Sequence, residues 1–167
     1  MITLVLGGNK SGKSAFALNL LAQSQGPSVL LATGRARDLH FRRQILAHRE
    51  NRDPGIPVIE VSTDLPERLI RAKSEYASVL VDSLDFWLFA CREEGLERVP
   101  EFLEALQAWN GGNIVLVSCE IGLGPLPVSE EARAFVRELG GLNQQMAALA
   151  GAVFFTVAGL PMTLKKA

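Results

Sequence analysis

The sequence predicts an α/β fold with helices on both faces of a mostly parallel central sheet, and three observations lead to this prediction. Short apolar runs without polar alternation recur along the chain, which is typical of strands buried on both faces. Segments with helical spacing of apolar residues separate these runs. A glycine-rich pattern over residues 7–14 joins the first run to the first such segment. We therefore predict a three-layer P-loop NTPase fold of the RecA-like kind, with right-handed crossovers.

The glycine-rich pattern, hereafter the phosphate loop, reads G-x-x-x-x-G-K-S and consists of Gly7, Gly8, Asn9, Lys10, Ser11, Gly12, Lys13 and Ser14. Its glycines allow a tight turn whose N–H groups meet phosphate oxygens, and the following helix adds the positive end of its dipole. Lys13 is predicted to contact the β- and γ-phosphates as a catalytic residue, and Ser14 to bind Mg²⁺. A turn that binds nothing is the alternative, but the strand–loop–helix context favours nucleotide binding.

Turn and capping residues bound the elements of the first half of the chain. The run 2–6 predicts a strand, a helix over 14–23 follows, and Gly26-Pro27 ends that helix before a strand over 29–33. The next predicted elements are a helix over 38–49 with Phe41 and Ile45 on its apolar side, a strand over 58–61, and a helix that begins with the capping pattern at Asp64 and runs to about Ala72.

The second half continues the alternation of short strands and helices. The predicted strands are 78–82, 114–118 and 153–157, with a short edge piece over 159–164. The predicted helices are 84–91, 100–109 and a long helix that Ser129 caps, with Glu130 and Glu131 favourable in its first turn. Its apolar stripe has helical spacing and consists of Ala132, Phe135, Val136, Leu139, Leu142, Met146 and Leu149.

Composition limits the classes of protein that fit. The 167 residues suggest a single nucleotide-binding catalytic domain over 1–167, and 48% hydrophobic with 21% charged residues suggest a soluble globular chain. The net charge of −1 gives no general attraction to nucleic acid or anionic membrane. Cys91 and Cys119 match no metal-binding spacing and are expected to be buried thiols in a reducing compartment. Because the chain enters a strand at once, we expect no signal peptide and a cytoplasmic location.

One uncharged stretch, residues 139–164, is long enough to cross a bilayer. However, the polar residues Asn143, Gln144 and Gln145 lie inside it, and glycines and a proline interrupt it. We interpret this stretch as the end of a helix, a turn and a buried strand, and we predict no membrane span.

Acidic residues end several of the predicted strands. Asp82 ends an apolar run and is predicted to hold Mg²⁺, although a helix cap is the alternative. Glu60 and Glu120 also end strands. Either carboxylate could contact a ligand at the carboxyl edge of the sheet, where open α/β folds bind ligands, or could be an ordinary polar strand end.

Both histidines lie in a basic stretch over residues 35–52. Among the cations Arg49 and Arg52, His48 should stay neutral near pH 7, and a neutral imidazole is a competent nucleophile toward phosphorus. From the residues alone, a surface histidine is the commoner alternative. The basic stretch could bind nucleic acid or phosphates, or could be a solvated face. Its single aromatic residue, Phe41, does not support base stacking, so we predict no nucleic-acid partner.

Further motifs follow the phosphate loop in a fixed order: Leu31-Ala32-Thr33-Gly34-Arg35-Ala36, Ile45-Leu46-Ala47-His48-Arg49-Glu50-Asn51-Arg52, Glu60, Val79-Leu80-Val81-Asp82-Ser83-Leu84, Trp87-Leu88, Val115-Leu116-Val117-Ser118, Glu120-Ile121-Gly122-Leu123-Gly124, Pro127, Leu142-Asn143-Gln144 and Ala158-Gly159-Leu160-Pro161. Over almost the whole chain, their order and spacing resemble the bifunctional adenosylcobinamide kinase / adenosylcobinamide-phosphate guanylyltransferase family of cobalamin biosynthesis.

The resemblance implies two reactions on a corrinoid substrate. In the kinase step, a γ-phosphate from ATP or GTP passes to the hydroxyl of the aminopropanol arm of adenosylcobinamide. In the guanylyl step, His48 attacks the α-phosphate of GTP and forms a covalent guanylyl-histidine with release of pyrophosphate. The guanylyl group then passes to adenosylcobinamide phosphate and gives adenosylcobinamide-GDP.

The resemblance also implies which residues contact the guanine nucleotide, and that the protein is a homotrimer. By position, the nucleotide-binding set comprises the phosphate loop together with Ala32, Thr33, Gly34, Arg49, Glu50, Asn51, Arg52, Glu60 and Asp82. Which of Glu60 and Asp82 contacts guanine and which holds metal stays open.

The chain departs from the family pattern at several positions, and the departing residues are Asp85, Phe89, Ala90, Cys119, Val136 and Gly141. None belongs to the phosphate loop, so they bear on the corrinoid side and the kinase step more than on GTP binding. Two alternatives stay open: a P-loop small-molecule kinase without a covalent intermediate, and a GTP-dependent binding module.

Overall fold

The structure is a computed structural model that describes residues 1–33 and 55–166. The predicted helix over 38–49 and the candidate residues Gly34, His48, Arg49, Glu50, Asn51 and Arg52 lie outside the described residues.

The described residues form a seven-stranded sheet. Its strands are β1 (Ile2–Gly7), β2 (Ser28–Ala32), β3 (Val58–Glu60), β4 (Ser78–Asp82), β5 (Asn113–Cys119), β6 (Ala152–Val157) and β7 (Leu160–Lys165). They lie in the order β3-β2-β4-β5-β1-β6-β7, and every neighbouring pair is parallel except β6 and β7. The predicted mostly parallel sheet is therefore confirmed, and the carboxyl ends of its central strands share one edge.

Helices cover both faces of this sheet, as predicted. The helices of the described residues are α1 (Lys13–Ala22), α2 (Leu65–Glu75), α3 (Leu84–Glu93), α4 (Val99–Gln107) and α5 (Glu130–Leu149). Helix α1 packs on one face through Ala17 and Leu21. The other four pack on the opposite face, where the rings of Trp87 and Phe102 lie 4.8 Å apart in the larger apolar core.

Most predicted element bounds are correct to within two residues, and two differences have a physical cause. Helix α2 continues past Ala72 to Glu75, because Arg71 Nε donates to Glu75 Oε1 at 3.0 Å across one exposed turn. The predicted loop after β5 contains a short 3₁₀ helix, Ile121–Leu123.

The long uncharged stretch folds as a helix end, a turn and a strand, as predicted. Ser129 caps α5, since its hydroxyl accepts from the Ala132 N–H at 3.1 Å. Leu139, Leu142 and Met146 are the fully buried part of the predicted stripe. The edge piece is a complete antiparallel strand, β7, whose residues are all exposed. In the described segments, 1–33 and 55–166, no helix combines the length and apolar character needed to span a bilayer.

Candidate active site

The phosphate loop connects β1 to α1 through a backbone turn that contains two left-handed residues, Lys10 at φ 53° and Gly12 at φ 94°. The Ser11 N–H donates to the Gly8 carbonyl at 3.3 Å and closes the turn. Gly12 is the N-cap of α1, and α1 has neither a side-chain cap nor an acidic residue in its first turn. The first N–H groups and the positive end of the helix dipole are therefore left for an anion, as the sequence pattern predicts.

Lys13 lies over this loop. Its ammonium donates to the Gly8 carbonyl at 3.1 Å, and the side chain is partly buried. The ammonium therefore lies beside the first residues of the loop, where a bound phosphate would replace the carbonyl as its partner. Phosphate oxygens are the stronger acceptors because hydrogen bonds between charged groups are stronger than those to neutral carbonyls.

Ser14 and Asp82, which are 68 residues apart, meet at the carboxyl edge of the sheet. The Ser14 hydroxyl donates to Asp82 Oδ1 at 3.2 Å. In the strand order, β5 separates β4 from β1, so the first turn of α1 reaches across β5 to bring the two oxygens together. The structure therefore places the two predicted metal-binding residues side by side.

The oxygen atoms of this pair suit Mg²⁺, which prefers hard oxygen ligands and keeps several waters. Within the described parts of the chain, no three His, Cys, Asp or Glu side chains cluster in a way that could hold a metal ion. A Mg²⁺ ion at Ser14 and Asp82 would therefore take its other ligands from nucleotide phosphates and water, which is the usual arrangement in nucleotide-binding enzymes.

Thr33 holds the end of β4 in place. Its buried hydroxyl donates to the Ser83 carbonyl and accepts from the Ser83 N–H at 2.8 Å, and the Thr33 N–H donates to the Asp82 carbonyl at 3.1 Å. The peptide bond between Asp82 and Ser83 is cis. These bonds occupy the hydroxyl of Thr33, and its contact with the nucleotide stays a prediction.

Three of the predicted nucleotide-binding residues form a row at the ends of adjacent strands. Ala32 pairs with Glu60 on one side and with Asp82 on the other. Ala32 is buried, whereas Glu60 is exposed. The row runs away from the phosphate loop, so Glu60 is the member farthest from β1.

Glu120 lies beside the phosphate loop at the end of β5. Its N–H donates to the Gly7 carbonyl at 3.0 Å, and its carboxylate accepts from the Asn143 amide on α5 at 3.3 Å. Asn143 is buried and also donates to the Cys119 carbonyl at 3.1 Å. Its own side-chain oxygen accepts from the buried Ser118 hydroxyl at 2.6 Å. The end of β5 is therefore fixed to α5 by a single amide.

Two departures from the family pattern, Cys119 and Asp85, lie next to this site. Burial raises the pKa of the Cys119 thiol, and the charges of Asp85 and Glu120 act in the same direction while the charge of Lys13 opposes them. Asp85 Oδ1 is buried and has no hydrogen-bonding partner among the described residues. Lys13, Asp85 and Glu120 thus all lie within electrostatic range of one thiol.

The turn between β6 and β7 supports the phosphate loop. The Gly159 N–H donates to the Ser11 carbonyl at 2.8 Å. A Cβ atom on Gly12 would lie 2.8 Å from the Gly159 Cα, so the two backbones approach closely. Neither this contact nor the Asn143 network was predicted. Gly159 and Asn143 both lie in motifs on which the family resemblance rests. Their place in those motifs is the sequence signal that could have identified them.

The two buried thiols should react slowly in the folded protein. Burial raises the pKa of Cys91 to about 11, so at about pH 8 roughly one thiol in a thousand is ionised. We expect iodoacetamide to modify Cys91 and Cys119 at least about 100-fold more slowly in buffer than in denaturant, because only the exposed thiolate reacts. Mass spectrometry over a time course measures both rates. Rapid stoichiometric labelling without denaturant would contradict the burial of these side chains.

Comparisons with known proteins identify one family. The family model described as "Cobinamide kinase / cobinamide phosphate guanyltransferase" matches residues 3–164. The bifunctional adenosylcobalamin biosynthesis protein CobP of Pseudomonas aeruginosa is 39% identical over 99% of this chain and 98% of its own length. The corresponding protein CobU of Escherichia coli is 30% identical over 99% and 100%.

Among solved structures, the flagellar accessory protein FlaH of Methanocaldococcus jannaschii superposes with a TM-score of 0.57. The match covers 99% of this chain and 78% of FlaH at 12% identity, so it bears on the fold alone. It confirms the predicted P-loop NTPase fold of the RecA-like kind. With the family match over nearly its whole length, the chain belongs to the bifunctional cobinamide kinase / cobinamide phosphate guanyltransferase family of cobalamin biosynthesis and is an enzyme of that family.

Proposed function

We propose that this enzyme phosphorylates adenosylcobinamide with ATP or GTP, and then transfers GMP from GTP to adenosylcobinamide phosphate through a covalent guanylyl-histidine at His48. The observation that carries the proposal is the 3.2 Å contact between Ser14 Oγ and Asp82 Oδ1 beside Lys13, since it assembles the parts that a nucleotide-triphosphate site requires. The corrinoid is inferred as the acceptor from the family to which the chain belongs.

In the kinase step, the phosphate loop and Lys13 bind the phosphates of the donor. The hydroxyl of the aminopropanol arm attacks the γ-phosphorus, and the bond between the γ-phosphorus and the β–γ bridging oxygen breaks. Ser14 and Asp82 would hold Mg²⁺, which would supply neutralisation of the charge that develops on the phosphates. Lys13 and the first N–H groups of α1 stabilise the same charge.

In the guanylyl step, the nucleophile is the neutral imidazole of His48. A ring nitrogen attacks the α-phosphorus of GTP, and the bond to the β-phosphate breaks so that pyrophosphate leaves. A phosphate oxygen of adenosylcobinamide phosphate then attacks the same phosphorus, and the P–N bond breaks. Arg49, Glu50, Asn51 and Arg52 follow His48 directly in the chain, and we propose that the two arginines offset the charge on the transferring group.

Intact-protein mass spectrometry after incubation with GTP and Mg²⁺ tests this proposal. We expect an acid-labile GMP adduct on the wild-type protein and none on His48→Ala, because a P–N bond hydrolyses in acid. An adduct of equal amount on both proteins would place the nucleophile at another residue, with His40 the next candidate. GTP binding without any adduct would favour the plain kinase, or a binding module if corrinoid turnover is also absent.

The proposal also covers the oligomeric state of the protein, its location in the cell and its partners. We propose a homotrimer, as the family resemblance implies, and a cytoplasmic protein without a nucleic-acid partner. Light scattering coupled to size-exclusion chromatography measures the assembly. Salt-sensitive retention of RNA on a filter would contradict the absence of a nucleic-acid partner.

A further inference from the structure

We infer that Glu120 accepts the proton of the acceptor hydroxyl in the kinase step, and that Asn143 positions its carboxylate for this purpose. The inference rests on the proposed kinase function and extends it to a residue outside the predicted nucleotide-binding set.

The backbone places Glu120 beside the phosphate loop. Cys119 pairs with Gly7 across β5 and β1, and the Glu120 N–H donates to the Gly7 carbonyl at 3.0 Å. Glu120 is therefore the first residue after the last strand pair, at the point where the phosphate loop leaves β1. The Gly8 carbonyl is also the acceptor for Lys13 Nζ. Glu120 and the Lys13 ammonium therefore both contact the first two residues of the phosphate loop, Glu120 through its N–H and Lys13 through its side chain.

The side chain of Glu120 is held by a donor outside its own loop. Glu120 is the N-cap of the 3₁₀ helix, yet its carboxylate does not cap that helix. It accepts instead from the Asn143 amide, which Ser118 Oγ and the Cys119 carbonyl fix in orientation. Asn143 is 4% exposed, so its amide cannot exchange these partners for water without local opening.

The second oxygen of Glu120 has room because of a glycine. A Cβ atom on Gly122 would lie 3.3 Å from Glu120 Oε1. Asn143 contacts only the other oxygen, Oε2. One oxygen therefore anchors the carboxylate while the other lies over a residue without a side chain.

The other carboxylates at this edge are less suited to accept the proton. Asp82 is bonded to Ser14 at the predicted metal position. Glu60 lies on β3, four strands from β1, which at the usual strand spacing is roughly 19 Å away. Asp85 Oδ1 is buried, which leaves Asp85 at most one oxygen for a substrate hydroxyl.

As the hydroxyl oxygen bonds to the γ-phosphorus and the bridging oxygen leaves with the nucleoside diphosphate, the hydroxyl proton passes to Glu120 Oε1. The protonated Glu120 then returns the proton to water. General bases of this kind contribute about 10²–10⁴-fold to rate.

Steady-state kinase assays with adenosylcobinamide, ATP and Mg²⁺ test the inference on Glu120→Gln, Glu120→Asp and the control Glu104→Gln, an exposed glutamate on α4. We expect Glu120→Gln to lower kcat about 10²-fold with an unchanged KM for ATP, because only the proton acceptor is lost. Glu120→Asp should recover part of this loss, and Glu104→Gln should match the wild type. The GMP adduct from GTP, measured on the same proteins, should stay within about threefold of wild type, because that half-reaction involves no acceptor hydroxyl.

The positioning role of Asn143 needs its own variants. Asn143→Asp keeps the acceptor for Ser118 but removes the donor to Glu120, and we expect it to lower the kinase kcat about 10-fold with little change in the KM for ATP. Because a buried aspartate can unfold the protein, Ser118→Ala provides a milder variant that frees the amide to rotate. It should lower kcat in the same direction while the GMP adduct persists.

Three outcomes would overturn the inference. An unchanged kinase rate in Glu120→Gln would show that Glu120 is not the proton acceptor. Equal losses of kinase rate and GMP adduct would show that Glu120 serves nucleotide binding or structure. A wild-type protein that forms no adenosylcobinamide phosphate would refute the proposed kinase function itself, and with it this inference; that failure is visible before any variant is compared.

Discussion

Replacing Lys13 by glutamine should lower both the kinase rate and the formation of the GMP adduct by about 10³-fold, because in the proposed mechanism both reactions develop charge on phosphates held by this loop. The ammonium already lies over the loop, where it donates to the Gly8 carbonyl at 3.1 Å. Glutamine keeps much of the side chain and one donor group but removes the charge. Adenosylcobinamide phosphate and GMP adduct, quantified separately by mass spectrometry, measure the two losses.

Lys73 offers a matched control for this experiment. Its ammonium also donates to a backbone carbonyl, that of Ala108 at 2.8 Å, but on an exposed part of α2 away from the phosphate loop. Lys73→Gln should therefore leave both reactions unchanged. Similar losses in the two variants would mean that Lys13 acts through general stability, and a fully active Lys13→Gln would refute its catalytic role.

Replacing Gly12 by alanine should destabilise the protein by about 2–5 kcal/mol. Alanine in the left-handed region costs about 1–2 kcal/mol, and a clash in a packed site adds about 1–3 kcal/mol. At Gly12 the φ angle is 94°, and the new Cβ would lie 2.8 Å from the Gly159 Cα, a backbone atom that cannot rotate away. We expect a fall in Tm of about 4–20 °C and a loss of nucleotide binding, measured by thermal unfolding and calorimetry.

Gly8→Ala is the control for the stability effect. Gly8 has no positive φ angle, and a Cβ atom there would meet nothing within 4 Å. Its alanine variant should unfold within about 0.5 kcal/mol of wild type, as substitutions without a structural conflict usually do. Equal stabilities of the Gly8 and Gly12 variants would contradict the close approach of the loop to the β6–β7 turn.

The parts of the fold predicted best are those in which burial alone determines the structure. Strand β4 has the predicted bounds, Ser78–Asp82, because its apolar run is buried on both faces. Strand β7 lies within one residue of the predicted edge piece over 159–164, although all six of its residues are exposed and pairing with β6, rather than an apolar pattern, holds it. The predicted end of α2 was too early because an ion pair on the surface extends the helix.

The part of the candidate site that could be predicted is the one in which a residue type typical of nucleotide chemistry lies at the end of a predicted strand. The contact between Ser14 and Asp82 follows from the phosphate-loop pattern and from the shared carboxyl edge of parallel strands. The roles of Asn143 and Gly159 depend on approaches between segments far apart in sequence. An asparagine on an otherwise apolar helix stripe and a glycine in a hairpin turn are common, so their local sequence did not distinguish them.

The bond between the Gly159 N–H and the Ser11 carbonyl changes how the last strand should be regarded. Judged by exposure, β7 resembles a dispensable tail. Yet the turn that leads into β7 contacts the predicted phosphate-binding loop, and the pairing of β7 with β6 holds that turn in place. Removing the residues after β6 from the protein would therefore also remove a contact that supports the predicted phosphate-binding loop.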